Sequence, residues 1–231
     1  MLRLENPGTV SGPAPSALLR ETRAVAVLRA SHSSDYAPVI EALQHGGGLS
    51  IELTLSTPGV WEEREELPLL CEQFGDSLEI GVGTVTEATE AEIALDLGAA
   101  YIVTPVTDPG IVTACVSRGV PVYPGGLTPT ELHTGWKLGA TAVKIFPAST
   151  VGAGYVSQLR GPFPDIQVIP SGGVNIEDVP SWIKAGALAV SLGGPLLGDA
   201  FKGGDLQELT ARAKLVRELI DQTAVQIGSG Q

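Results

Sequence analysis

The chain has 231 residues, with 26 acidic against 14 basic side chains and a net charge of −12, so no basic stripe is available to hold nucleic acid or an anionic membrane. Its apolar share of 43% supports a sizeable core, and the length fits one large domain or two small ones, a size at which single α/β barrels are common. With no apolar run of the roughly 20 residues a membrane helix needs, and no basic segment leading into an apolar stretch at the start, the expectation is a soluble, cytoplasmic protein.

Residues 1–14, rich in Pro, Gly and Ser, predict a loose tail, 15–226 a single folded domain, and 227–231 a loose end. A short helix is expected near 15–23. From there the chain repeats an apolar run, a turn, an amphipathic helix and a glycine. The strand Ala24–Leu28 precedes a helix over 35–46, Ser50–Leu55 precedes 61–74, Leu78–Val82 precedes 86–97, and Tyr101–Thr104 precedes 109–118. In the second half Val120–Tyr123 precedes 129–138, Ala142–Phe146 precedes 153–159, Ile166–Ile169 precedes 178–185, and Leu188–Leu192 precedes 205–222. Gly46-Gly47-Gly48, Gly98, Gly119, Gly139 and Gly186 stand where helix C-caps are expected. Strands alternating with helices imply parallel βαβ units. Eight of them imply an α/β fold closed as a (β/α)8 TIM barrel, with the 15–23 helix placed to cover its bottom. An open Rossmann sheet is the rival, but no G-x-G-x-x-G opens a helix after the first strand.

Cys71 and Cys115 have no CxxC spacing and read as small core residues. His32, His45 and His133 fall in unrelated positions with no ligand spacing, so they read as surface or capping residues and no metal is expected.

Lys144 is the most informative residue. It interrupts the apolar run Thr141-Ala-Val-Lys-Ile-Phe-Pro147, whereas Lys137, Lys184, Lys202 and Lys214 fall in helical or loop contexts close to solvent. An amine taken out of water loses its preference for the charged form, and the neutral amine is the nucleophile that imine chemistry on a ketone requires. The bland alternative is a strand-end lysine that snorkels its head to water. Barrel enzymes place chemistry at the C-terminal ends of their strands. Those ends collect Arg29, Glu52, Thr54, Thr84, Pro105, Lys144, Phe146, Ser171-Gly172-Gly173 and Gly193-Gly194.

Alternation puts Ser50, Glu52, Thr54 and Ser56 on one face of their strand and Ile51, Leu53 and Leu55 on the other. In a barrel the apolar face meets the helices, so the polar face must enter the lumen. A carboxylate there needs a partner, and Lys144 is the natural one. Such a pair suits imine formation and C–C cleavage, with the carboxylate moving protons and the protonated imine as electron sink, so no cofactor is expected. The Gly172-Gly173 and Gly193-Gly194 pairs occupy the two loops where many barrels bind phosphate. Glycine allows close backbone approach there, although tight turns alone would also explain them.

Several segments together resemble the class I 2-keto-3-deoxy-6-phosphogluconate aldolase family over about residues 20–220. They are Ala26-Val-Leu-Arg-Ala30, Ile51-Glu-Leu-Thr54, Gly81-Val-Gly-Thr-Val85, Ile102-Val-Thr-Pro105, Tyr123-Pro-Gly125, Thr128-Pro-Thr-Glu131, Val143-Lys-Ile-Phe-Pro147, Gly161-Pro-Phe-Pro164 and Pro170-Ser-Gly-Gly-Val174. The resemblance implies a homotrimeric lyase that splits a 2-keto-3-deoxy-6-phospho sugar acid into pyruvate and glyceraldehyde 3-phosphate, as in the Entner–Doudoroff pathway. It implies Lys144 as the Schiff-base lysine and Glu52 as general acid/base, Thr84 at the pyruvyl carboxylate, and Pro105 and Phe146 shaping the pocket. Ser171 would meet the sugar hydroxyls, and Gly172, Gly173 and Gly194 would donate amides to phosphate.

Three departures from the family pattern concern the ends of the substrate. Ser56 stands where many members carry a carboxylate-binding arginine, with Arg29 as the expected substitute. Ser171 replaces a frequent threonine. Gly194-Pro195 replaces a phosphate-site serine, and proline has no N–H. The 6-phosphogalactonate epimer and 4-hydroxy-2-oxoglutarate are therefore alternative substrates. The rival classes are a phosphate-binding barrel isomerase or synthase without a covalent lysine, and a non-catalytic sugar-acid-phosphate binding protein.

Overall fold

Short apolar runs that alternate with amphipathic helices bury both faces either in an open doubly wound sheet or in a closed barrel, and this chain takes the barrel. The computed structural model describes residues 12–58, 65–75 and 77–229. Its strands are β1 (Ala24–Leu28), β2 (Ser50–Thr54), β3 (Ile80–Gly83), β4 (Ile102–Val103), β5 (Val122–Tyr123), β6 (Gly125–Gly126), β7 (Val143–Ile145), β8 (Val168–Pro170) and β9 (Val190–Leu192). They pair in the orders β5-β4-β3-β2-β1-β9 and β6-β7-β8, and every pairing is parallel.

Two seams join these sheets. β5 and β6 are one barrel strand interrupted at Pro124, which has no N–H to give the ladder. The Pro124 carbonyl still accepts from the Lys144 N–H at 2.8 Å, and the Val122 carbonyl from the Thr141 N–H at 3.1 Å. On the other side the Leu188 N–H bonds the Val168 carbonyl at 2.9 Å, bringing β8 to β9. The result is the expected (β/α)8 barrel.

The helices are α1 (Ala17–Thr22), α2 (Tyr36–His45), α3 (Glu66–Phe74), α4 (Ala88–Asp96), α5 (Pro109–Ser117), α6 (Pro129–Lys137), α7 (Gly154–Arg160), α8 (Val179–Lys184), α9 (Gly194–Leu197) and α10 (Leu206–Ser229). Local chemistry sets several of their starts. Asp108 accepts from the Ile111 N–H at 2.9 Å to open α5. Glu131 reaches back to the Thr128 N–H at 2.8 Å to open α6, and proline begins both helices.

The predicted boundaries shift by a residue or two at most strands. The helix expected over 61–74 is seen from Glu66, its first four residues lying outside those described, as does most of the 1–14 tail. The loose end expected from residue 227 is instead helix through Ser229, whose hydroxyl bonds the Val225 carbonyl at 2.9 Å. Thr223 is the last buried residue of α10, so that final turn stands on its own backbone ladder rather than on packing.

Apolar side chains fall into two layers. The larger lies between barrel wall and helices and includes the outward-facing Ile51, Leu53, Val143 and Ile145. The smaller fills the lower lumen with Leu19, Val25, Tyr101, Val103, Tyr123, Ala142, Ile169 and Ala189. Leu19 belongs to α1, so this helix plugs the barrel bottom as anticipated. Ser16 caps it by accepting from the Leu19 N–H at 2.9 Å, and Arg23 ties it down by donating to the Ala187 and Leu188 carbonyls at 2.6 and 3.1 Å.

Candidate active site

β2 is buried along its whole length, as a barrel strand must be, and its alternation sends Glu52 into the lumen. Glu52 is 1% exposed and Lys144 7%. Glu52 lies in register between Val27 on β1 and Gly81 on β3. The lack of a side chain at Gly83 makes room for it: a Cβ there would stand 1.9 Å from Glu52 Oε1.

The expected partnership of Glu52 and Lys144 takes a particular form. β2 and β7 face each other across the barrel, and no ion pair within 4.0 Å joins the two groups among the described residues. Glu52 Oε2 is buried with no hydrogen-bond partner among them. Burial pushes the Glu52 carboxyl above the ordinary carboxylate range, while the positive charges of Lys144 and Arg29 pull it back. The Lys144 Nζ lies 5.1 Å from the Phe146 ring centroid, within reach of a cation–π attraction.

Above the pair opens a cavity of about 480 Å3. All twelve residues singled out from the sequence line it: Arg29, Glu52, Thr54, Thr84, Pro105, Lys144, Phe146, Ser171, Gly172, Gly173, Gly193 and Gly194. Thr84, directly after β3, sits at φ 61°, a left-handed backbone uncommon for a β-branched residue. Holding it there costs about 1–3 kcal/mol, of the kind stored at functional sites. Gly172 and Gly173 both have positive φ, and a Cβ on Gly172 would come within 2.9 Å of the Phe146 ring. Thr54 lines the cavity, but its hydroxyl donates to the Leu28 carbonyl at 3.1 Å and is thus held by the wall. Ser56 is exposed and does not line the cavity, whereas Arg29 does.

Six further residues complete the lining: Val27, Pro195, Leu197, Gly198, Phe201 and Lys202. All but Val27 come from α9, its C-cap Gly198 and the 3-10 turn Ala200–Lys202 that follows. The glycines at 198, 203 and 204 announce a turn there, but no sequence period marks that it folds over the barrel mouth. His32 and His45 are surface residues, while His133 is half-buried and stacks on Phe163 with ring centroids 4.1 Å apart. No group of His, Cys, Asp or Glu fit to hold a metal occurs among the described residues. Cys71 and Cys115 are both free, and burial pushes the Cys115 thiol up to about 12.

A (β/α)8 barrel with a buried amine and carboxylate facing each other across its lumen is equipped for imine-based chemistry on a carbonyl compound. The family described as KDPG and KHG aldolase matches residues 16–212, and the chain belongs to that family. It is an aldolase, hence a lyase. The 2-dehydro-3-deoxy-6-phosphogalactonate aldolase of Escherichia coli is 35% identical over 74% of this chain and 84% of its own. The 2-dehydro-3-deoxy-phosphogluconate aldolase of Pseudomonas aeruginosa is 30% identical over 72% of this chain and 74% of its own. The KDPG aldolase of Legionella pneumophila, solved with pyruvate captured as a covalent carbinolamine, superposes with a TM-score of 0.78 at 26% identity, covering 87% of this chain and 96% of that one.

Proposed function

We propose that this chain is a class I aldolase that cleaves 2-keto-3-deoxy-6-phosphogluconate into pyruvate and glyceraldehyde 3-phosphate through a Schiff base on Lys144. The observation that carries this reading is the buried Lys144 and Glu52 facing each other beneath the cavity. The Lys144 amine adds to the C2 ketone, and the carbinolamine loses water to give a protonated imine. Glu52 accepts the proton of the C4 hydroxyl as the C3–C4 bond breaks, and the bond's electrons pass to the imine nitrogen. The aldehyde leaves, the enamine takes a proton at C3, and water releases pyruvate. A carboxyl whose proton affinity burial has raised suits both halves of that proton traffic.

Thr84 and Arg29 hold the pyruvyl carboxylate in this scheme, Arg29 replacing the arginine that Ser56 does not supply. Pro105 and Phe146 shape the pocket, Ser171 meets the sugar hydroxyls, and Gly172, Gly173 and Gly194 meet the phosphate. We also propose a homotrimer working in the cytoplasm within an Entner–Doudoroff route, on family resemblance; sedimentation tests the assembly.

The 35% identity to a galactonate-series enzyme favours a second reading, the C4 epimer as substrate. Steady-state kinetics on both epimers and on 4-hydroxy-2-oxoglutarate separates the two. The mechanism is tested by borohydride trapping with pyruvate and peptide mapping. A single reduced adduct on Lys144, absent in Lys144→Met, is expected. Folded protein without an adduct would return the non-covalent isomerase or synthase to the front.

A further inference from the structure

The cavity's charge runs against that of the chain. The whole molecule carries −12, yet three cations, Arg29, Lys144 and Lys202, and a single carboxylate, Glu52, line the cavity. Lys144 and Arg29 have work at the ketone and carboxylate end of the substrate. Lys202 has none assigned, and no carboxylate lies within ion-pair distance of it among the described residues. In so acidic a protein an unpaired ammonium at a cavity mouth is an attractive centre for an anion.

The turn that carries Lys202 is firmly fastened. Arg212 on α10 donates to the Leu196 and Leu197 carbonyls at 2.6 and 3.0 Å, holding the end of α9. Gly198 permits that grip, since a Cβ there would meet Arg212 at 2.9 Å. Beyond it the Lys202 N–H closes the turn on the Asp199 carbonyl at 2.7 Å. Phe201 packs edge-on against Tyr36, ring centroids 6.0 Å apart and planes at 85°. Lys202 is therefore presented from a fixed base, in the segment that directly follows Gly193, Gly194 and Pro195. Pro195 removes one backbone N–H from that loop, and a nearby ammonium compensates for a lost donor to an anion.

Building on the aldolase reading, we propose that Lys202 is a specificity-determining residue that binds the distal phosphate of the substrate and sets the preference for phosphorylated over unphosphorylated 2-keto-3-deoxy acids. The test compares kcat/KM for 2-keto-3-deoxy-6-phosphogluconate and for 2-keto-3-deoxygluconate in wild type, Lys202→Met and Lys202→Arg. A hydrogen-bonded charge at this position predicts that the phosphorylated-to-unphosphorylated ratio falls by about 10- to 100-fold in Lys202→Met, mostly through KM. Lys202→Arg should restore most of it. Raising the salt concentration should shrink the ratio in wild type but not in Lys202→Met. A ratio unchanged in Lys202→Met, or a wild type with no preference for phosphate, overturns the proposal. Pyruvate trapping on wild-type Lys144 is read separately: its failure would sink the aldolase reading, whereas an unchanged ratio with intact trapping would sink only the role of Lys202.

Discussion

The lower and upper halves of the barrel lumen are built from the same strands but to opposite ends. Below Glu52 the lumen is filled by Val25, Tyr101, Val103, Tyr123 and Ile169 and plugged by Leu19, each at most 4% exposed. Above it the same strands end in a strained Thr84 and a cavity of about 480 Å3, with the Glu52 carboxyl, which burial makes reluctant to ionise, at the boundary. Two residues along a strand separate the two uses, as in β1, where Val25 belongs to the floor and Val27 lines the cavity. The difference teaches that this fold gathers the groups its chemistry needs at one end, where they are held by a largely apolar floor that supplies stability.

Glu52→Gln breaks the upper half most severely. Removing a proton-shuttling carboxyl should lower kcat by about 10^2- to 10^4-fold, measured at saturating substrate, with the protein still folded. The same variant should change how stability depends on pH. The carboxyl's proton affinity is higher folded than unfolded, so its favourable contribution is complete below the ordinary value of 4.5 and is lost as pH rises through the folded value. The melting temperature of Glu52→Gln should therefore gain on wild type as pH climbs from 4.5 towards neutrality. A gap that stays constant over that range would mean that burial does not raise the proton affinity of Glu52.

The contrast between the halves was only partly legible in the sequence. Lys144 and Glu52 stood out because a charge in an apolar strand violates the pattern that the rest of the strand obeys, and the strand-end rule then gathered the rim residues around them. The β6 segment Gly125–Gly126 did not read as strand, since glycine is depleted there. It is required by close approach: a Cβ on Gly125 would lie 2.5 Å from the Pro105 carbonyl oxygen. The left-handed Thr84 is likewise imposed by its surroundings, not by its own preference. Phe201 and Lys202 were missed for another reason: their turn is placed by the contact of Phe201 with Tyr36 far back in the chain, and no local pattern encodes such a contact.

Leu19→Ala tests the lower half. It empties the plug, and a fully buried leucine truncated to alanine should cost about 2–5 kcal/mol in chemical denaturation. Because Leu19 touches the floor and not the cavity, kcat/KM should stay within about twofold of wild type at temperatures where the variant is folded. A matching loss of activity would show that the floor positions the catalytic pair and does more than support it.

Tyr101→Phe is the finest probe of the boundary. The Tyr101 hydroxyl is buried with no partner among the described residues, its ring fills the space left by Gly81, and burial together with the nearby Glu79 and Glu52 charges pushes its ionisation well above the usual tyrosine value. A buried hydroxyl without a partner opposes folding, so its removal should stabilise the protein by about 1 kcal/mol, seen as a higher denaturation midpoint at unchanged m-value. The ring and its tilted contact with Tyr123, 5.5 Å between centroids, are retained. If floor and mouth are separate, the pH profile of kcat will superpose on that of wild type. A displaced limb would show that Tyr101 is felt at Glu52 and that the two halves share their electrostatics across the layer that divides them.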